Sequence, residues 1–187
     1  FHAPLIAADA SYSLDVIVTA DPDRASEAAR LYPNTRIVQT PEALLALSGD
    51  LDLVVLGTPP LTHFDLAATA IAHGLHVVVD KPFVTTSDQG HELISRAADA
   101  GVQLTVFQNR RWDADFLTLQ KLIGEGALGE VRSFESRFEW WRPEGFGNWR
   151  DTAAVSEGGG ILNDLGAHLI DQAIQLFGPV AESYGET

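Results

Sequence analysis

The sequence contains no cysteine, which excludes disulfides and thiolate nucleophiles and leads us to expect a reducing compartment, the cytoplasm. It contains no methionine either, and it opens Phe1-His2-Ala3-Pro4. The expectation is a chain that begins inside a longer reading frame, with any signal peptide lost upstream. Basic residues are scarce: 12 Lys plus Arg stand against 26 Asp plus Glu, a formal net charge of −14. A field of that sign repels phosphate backbones and anionic lipid, so neither nucleic acid nor membrane is an expected partner. A local cluster such as Arg110-Arg111 can still dominate its own cleft. No apolar run approaches the roughly 20 residues that a membrane-spanning helix needs.

What is present has the texture of an ordinary globular protein: 187 residues, 45% of them apolar and 20% charged, enough for one domain and part of a second. Through residue 107, short β-rich runs at 14–19, 36–38, 52–57, 76–80 and 102–107 alternate with helical patterns at 22–32, 41–47, 62–73 and 87–100. Asp21-Pro22 reads as an N-cap followed by the first helical residue, and Ser87 as a second N-cap. Gly74 and Gly101 stand where a helix ends and a strand follows. This alternation predicts βαβ units and a doubly wound parallel sheet covered on both faces. The uninterrupted runs Leu53-Val54-Val55-Leu56 and Val77-Val78-Val79 suit strands buried on both sides.

After Phe107 the pattern changes. A helix opens at Asp113, with Phe116, Leu119 and Ile123 on one face and Gly124 and Gly126 at its end. The period-2 alternation of residues 130–139 predicts a strand of a different, one-sided sheet. A polar, aromatic loop (140–157) leads to Gly158-Gly159-Gly160 and a helix reaching about Phe177; the last ten residues approach another strand. The expected division is therefore an α/β domain over residues 1–110 and the start of an α+β domain over 111–187.

Ligands of open α/β sheets bind beyond the carboxyl ends of the strands. Three successive strand ends carry Gly57-Thr58-Pro59-Pro60, Asp80-Lys81-Pro82 and Gln108-Asn109-Arg110-Arg111, all on one sheet edge. Lys81, aimed by a stiff turn, can hydrogen-bond a substrate oxygen and stabilise negative charge there; the plain alternative is a surface lysine. The last helix carries Asp164, His168, Asp171 and Gln172 at spacings of four, three and one, along one stripe. A histidine with a carboxylate one turn away meets the needs of a general base; the alternative is a solvated helix face. No third ligand accompanies Asp164 and His168, so no metal is expected. His63 either lines a cofactor cleft or packs, and His2, His73, His76 and His91 read as structural. Trp140, Trp141 and Trp149 either wall a pocket or pack a domain junction.

These motifs, with Trp112-Asp113 after the arginines and the run from Gly159 to His168, resemble the Gfo/Idh/MocA oxidoreductases, the glucose-fructose oxidoreductase and inositol dehydrogenase group. The resemblance covers essentially the whole chain. It implies catalytic roles for Lys81, Asp164 and His168 and a cis peptide at Lys81-Pro82. It implies a nicotinamide cofactor bordered by Gly57, Thr58, Pro59 and His63, with Asp80, Pro82, Gln108, Asn109 and Arg110 nearby. Asp80 stands where the family more often has Glu. The implied activity is hydride transfer between NAD(P) and a secondary alcohol or ketone of a sugar, polyol or related molecule. A non-catalytic, ligand-sensing relative of the same fold is the rival. Two departures stand out. The G-x-G-x-x-G turn that cradles a pyrophosphate is missing, and residues 1–6 read as the helix that should follow it. Most of the second-domain sheet, the usual oligomer face, is missing too, so truncation at both ends and a homo-oligomer in the full-length protein are expected. Thr19-Ala20 ends the strand that meets the ribose in this fold. Arg24, one helical turn on, is placed to meet a 2′-phosphate, which favours NADP over NAD.

Overall fold

A computed structural model describes residues 1–147 and 149–186. Its elements are α1 (His2–Ala8), β1 (Val16–Val18), α2 (Pro22–Leu31), β2 (Arg36–Val38), α3 (Pro41–Leu45), β3 (Leu53–Leu56), α4 (His63–Ala72), β4 (His76–Asp80), α5 (Ser87–Ala100), β5 (Leu104–Phe107), α6 (Ala114–Gly124), α7 (Trp149–Thr152) and α8 (Ala167–Phe177). A π-helical turn, Leu162–Gly166, runs directly into α8. All strand pairs are parallel, as the βα rhythm predicts. They form two sheets, β1-β2 and β3-β4-β5, rather than one, because no described strand lies between β1 and β3 to carry the ladder across.

Local chemistry sets the boundaries. The Asp21 carboxylate accepts from the N–H groups of Asp23 and Arg24 and starts α2 at Pro22. Helix α5 is capped by Thr86, whose hydroxyl accepts from Gln89 N–H, and not by Ser87 as the sequence suggests. Two hydroxyls stand side by side there, and the extended backbone of Thr86 is the one that turns its oxygen onto the first turn. Gly101 ends α5 at φ +69°, a left-handed conformation that glycine adopts without strain.

The core lies between β3-β4 and the helices α4 and α5. Ala67, Ala68, Ala70 and Ile71 let α4 approach Val54, Leu56, Val77 and Val79, and Leu93 and Ala97 of α5 complete the cluster. The runs expected to be buried on both faces are instead alternately buried: Val54, Leu56, Val77 and Val79 are buried, while Leu53, Val55 and Val78 are half-buried. Both core helices lie on one face, and the other is less fully covered.

Residues 130–139 form no strand. An extended segment needs a neighbour for its N–H and C=O groups, and none is paired with it among the described residues. The segment is held by side chains: Phe134 packs on Phe177 at 5.2 Å, and the Arg110 guanidinium lies 4.8 Å over the Phe138 ring.

The glycine run before α8 is a packing requirement. A Cβ on Gly159 would stand 2.1 Å from the Ala153 carbonyl oxygen. Gly158 has φ +83°, and its Cβ would meet Pro60 Cβ at 2.8 Å. Only backbone without side chains can lie against the Pro59-Pro60 bend in this way. Gly159→Ala is expected to cost roughly 1–3 kcal/mol, as overpacking does. A thermal melt superimposable on that of the parent would contradict this.

Candidate active site

Strands β3, β4 and β5 end on the same edge, and their turns converge with the π-helical turn before α8. A cavity of about 260 Å³ opens there, lined by Gly57, Thr58, Pro59, Pro60, Asp80, Lys81, Pro82 and Asp164. A second cavity, of about 170 Å³, shares Asp80 and Lys81 with the first and adds Phe1, Phe107 and Asn109. The Lys81-Pro82 peptide is cis.

Lys81 is the hinge of the site. Its Nζ donates to both the main-chain oxygen and Oδ1 of Asp164, each at 2.7 Å, with side-chain exposures of 19% and 12% for the two residues. Helical spacing suggested His168 as the partner of Asp164; Lys81, 83 positions away, donates to both its carboxylate and its main-chain carbonyl. His168 lies one turn on, 4% exposed, and its Nδ1 is buried without a hydrogen bond. Burial above all, then the charges of Lys81 and Arg110, lowers its pKa to about 4, against weaker opposing effects of Asp164 and Asp113. The ring is therefore neutral at physiological pH.

His63 does not border the cleft. It is fully buried, with Nε2 2.8 Å from the Thr58 carbonyl oxygen and Nδ1 3.0 and 3.1 Å from those of Pro82 and Phe83. It sits behind the wall and clasps the turns after β3 and β4, which carry Thr58 and Lys81. His63→Ala strands these carbonyls and is expected to lower the unfolding free energy by about 2–3 kcal/mol. Chemical denaturation would read this, and an unchanged midpoint would contradict it.

Of the remaining expected cofactor residues, Asn109 reaches the second cavity. Gln108 is half-buried, with Oε1 buried and unbonded. Arg110 lines neither cavity; it bonds Asp113 Oδ2 through Nη1 at 3.0 Å. Thr19 follows β1 in the other sheet and Arg24 lies in the first turn of α2, both outside the two cavities; Thr19 Oγ1 accepts from Asp21 N–H, and Arg24 is exposed. The structure therefore brings Lys81, Asp164 and His168 together and leaves Thr19 and Arg24 apart.

Asp171 and Gln172, on the same stripe as His168, act as stitches. Arg111 binds Asp171 by two parallel hydrogen bonds of 2.8 and 2.5 Å, and Gln172 Nε2 donates to the Arg110 carbonyl at 3.2 Å. Together they dock α8 on the turn Asn109–Trp112. Trp140 and Trp141 are 52% and 90% exposed and line neither of these cavities, and the Trp140 ring packs edge-on against Phe146 with the Arg142 guanidinium 5.4 Å over it; the Trp149 side chain lies outside the described residues. His2, read as structural, hydrogen-bonds Asp80 Oδ1 at 2.7 Å beside Lys81 and packs edge-on against Phe107. Nothing in a sequence marks a pair 78 positions apart.

The donors and volume of the two cavities fit the nicotinamide end of a dinucleotide. Lys81 offers a cation, Thr58 a hydroxyl, and Phe107 an aromatic wall. Whole-ligand sites are typically about 300–1,000 Å³. Among the described residues no group of three or more His, Asp or Glu is placed to hold a metal ion, and no helix is long and apolar enough to cross a membrane.

Comparison with known proteins gives a consistent result. A model of an oxidoreductase family's NAD-binding Rossmann fold matches residues 1–108, and one of the GFO/IDH/MocA C-terminal domain matches residues 116–187. The chain is 47% identical over 178 residues to an uncharacterized oxidoreductase of Escherichia coli K12, covering 95% of this chain and 50% of that protein. It is 36% identical over 178 residues to the scyllo-inositol 2-dehydrogenase (NADP(+)) of Bacillus subtilis 168, covering 95% and 48%. Among solved structures, an oxidoreductase from Yersinia pestis superimposes with a TM-score of 0.84 at 48% identity, over 95% of this chain and 48% of that one. The chain thus spans about half the length of the curated relatives it matches.

Proposed function

The chain belongs to the Gfo/Idh/MocA family of NAD-binding oxidoreductases, and from that premise we propose that the whole protein oxidises a secondary alcohol of a cyclic polyol or sugar to the ketone, reversibly, with NADP. The observation that carries this reading is the convergence of Lys81, Asp164 and a neutral, buried His168 on the carboxyl edge of a parallel sheet.

Bound nicotinamide supplies the hydride acceptor at C4. The rest is done by this chain. Lys81 Nζ binds the reacting oxygen and stabilises the negative charge that grows on it as the O–H proton leaves. Asp164, bonded to Nζ at 2.7 Å, fixes where that ammonium points. His168, uncharged, is ready to take the hydroxyl proton and to return it in the reverse direction. His63 holds the Thr58 and Lys81 turns at constant separation, and Arg111-Asp171 holds the helix that carries His168.

The polyol substrate and the NADP preference draw on the Bacillus scyllo-inositol dehydrogenase. The NADP preference also draws on Thr19 just after β1 and the exposed Arg24 in the first turn of α2, where a guanidinium can pair with a 2′-phosphate. Assembly as a homo-oligomer through the second domain, beyond residue 110, and a cytoplasmic location belong to the same proposal. NADPH is expected to bind roughly tenfold or more tightly than NADH, and Arg24→Ala to erase the difference. Fluorescence titration with both reduced cofactors checks this; tighter binding of NADH would refute it. The reaction itself is tested by following formation of reduced nicotinamide from NADP and scyllo-inositol. Cofactor binding without turnover of any polyol or sugar would leave the sensing relative as the better reading.

A further inference from the structure

His2 and Asp80 tie the first helix to the edge of the sheet that carries the site. Asp80 and Phe107 are opposed in the β4–β5 ladder, and the His2 ring of α1 touches both. Its Nε2 stands 2.7 Å from Asp80 Oδ1, and its edge meets the Phe107 ring at a centroid separation of 4.8 Å. A carboxylate only accepts, so Nε2 carries the hydrogen of this bond. The other carboxylate oxygen, Oδ2, makes no hydrogen bond among the described residues. It faces the bare backbone of Gly57, where a Cβ would stand 3.5 Å from it. Asp80 also lines both cavities, together with Lys81.

We propose that His2 is a positioning residue for the nicotinamide end of the cofactor. By holding Oδ1 it fixes the Asp80 carboxylate with Oδ2 open to the cavities, where that oxygen accepts from a hydroxyl or amide N–H of the bound nicotinamide nucleoside. This rests on the reading of the two cavities as the site of that nucleoside. An aspartate free to rotate has to be ordered when its ligand binds, and the lost rotamer freedom weakens affinity. The bond from Nε2 orders it in advance, and the contact with Phe107 sets the direction in which Nε2 points. The two contacts of His2 are separable by substitution. Phenylalanine keeps a ring against Phe107 and loses the donor. Glutamine loses the ring and keeps an N–H donor at a similar reach. A histidine that merely packs needs the ring, whereas one that positions Asp80 needs the donor.

The test is calorimetric titration of the whole protein with whichever reduced cofactor, NADPH or NADH, the parent binds more tightly. The variants are His2→Phe, His2→Gln, Asp80→Ala and the double variant of His2→Phe with Asp80→Ala, each checked for a native melting transition. His2→Leu replaces His2→Phe should the latter not fold. The Kd is expected to rise roughly tenfold in His2→Phe, as for loss of a hydrogen bond to a charged group, and to stay within about threefold of the parent in His2→Gln. In the Asp80→Ala background, His2→Phe is expected to change Kd by less than about twofold, because the effect of His2 passes through that carboxylate. Parental affinity in His2→Phe, or equal losses in the two single His2 variants, overturns the inference and leaves the assignment of Lys81 and His168 intact. The expected order of affinities without turnover of any polyol or sugar upholds the inference and sinks the proposed reaction. Binding of neither cofactor by the parent overturns both.

Discussion

Replacing Lys81 by alanine is expected to lower kcat by about three orders of magnitude and to raise the substrate KM as well. The size follows from two losses. The reacting oxygen loses its cationic partner, a contact of the oxyanion-stabilising type, worth roughly 10²–10³ in rate by itself. In addition, the carbonyl and carboxylate of Asp164 each lose a hydrogen bond to Nζ, and a largely buried carboxylate loses the positive charge of Lys81. The melting temperature should therefore fall too, which separates Lys81 from a surface lysine. The double variant Lys81→Met with Asp164→Asn restores neutrality at the pair. It should recover most of the stability and none of the activity. Near-parental kcat in Lys81→Ala would remove this residue from the chemistry.

Changing His168 to alanine is expected to reduce kcat by roughly 10²–10⁴ while cofactor affinity stays close to the parent's, as for the loss of a general base. The pH dependence sharpens the expectation. With its pKa lowered to about 4, His168 is deprotonated and able to accept a proton over the whole neutral range. The acid limb of kcat/KM should accordingly fall near pH 4 rather than near the 6.5 of an exposed imidazole. The same shift carries a stability consequence. Between about pH 4 and 6.5 the unfolded chain binds a proton at this histidine that the folded chain does not. Stability is therefore fully present above 6.5 and declines as the pH falls towards 4, by on the order of 3 kcal/mol in total. His168→Gln should flatten that part of the curve of melting temperature against pH, and an undiminished slope would locate the titration elsewhere.

Most of the α/β frame was legible because its signals are local. The Asp21 cap, the Gly101 terminator and the strand His76–Asp80 each depend on a few adjacent residues, and each is where the sequence puts it. Lys81, Asp164 and His168 were legible for a related reason: a strand end and a helix stripe announce themselves by position. What the sequence could not give was pairing across distance. Spacing along one helix shows that Asp164 and His168 share a face, but not that Lys81 donates to the main-chain oxygen and Oδ1 of Asp164. The His2-Asp80 bond was hidden for the same reason, and His63 was left between lining a cleft and packing because nothing local reveals three carbonyls around a buried ring. The alternation of residues 130–139 is a true periodicity without a ladder, since a strand is a property of two segments and not of one. The glycines before α8, no substitute for a phosphate cradle by position, are explained by contacts with Ala153 and Pro60.

The central claim is that Lys81 and His168 serve hydride transfer between a secondary alcohol carbon and the nicotinamide. The most direct measurement is isotope transfer: the purified protein is incubated with NADP and scyllo-inositol carrying deuterium on its ring carbons, and the recovered cofactor is analysed by NMR. Deuterium is expected at C4 of the reduced nicotinamide, on one face only, with the label absent when the Lys81→Ala or His168→Ala variant replaces the parent. Reduced cofactor without deuterium, or equal labelling by the parent and both variants, would contradict it.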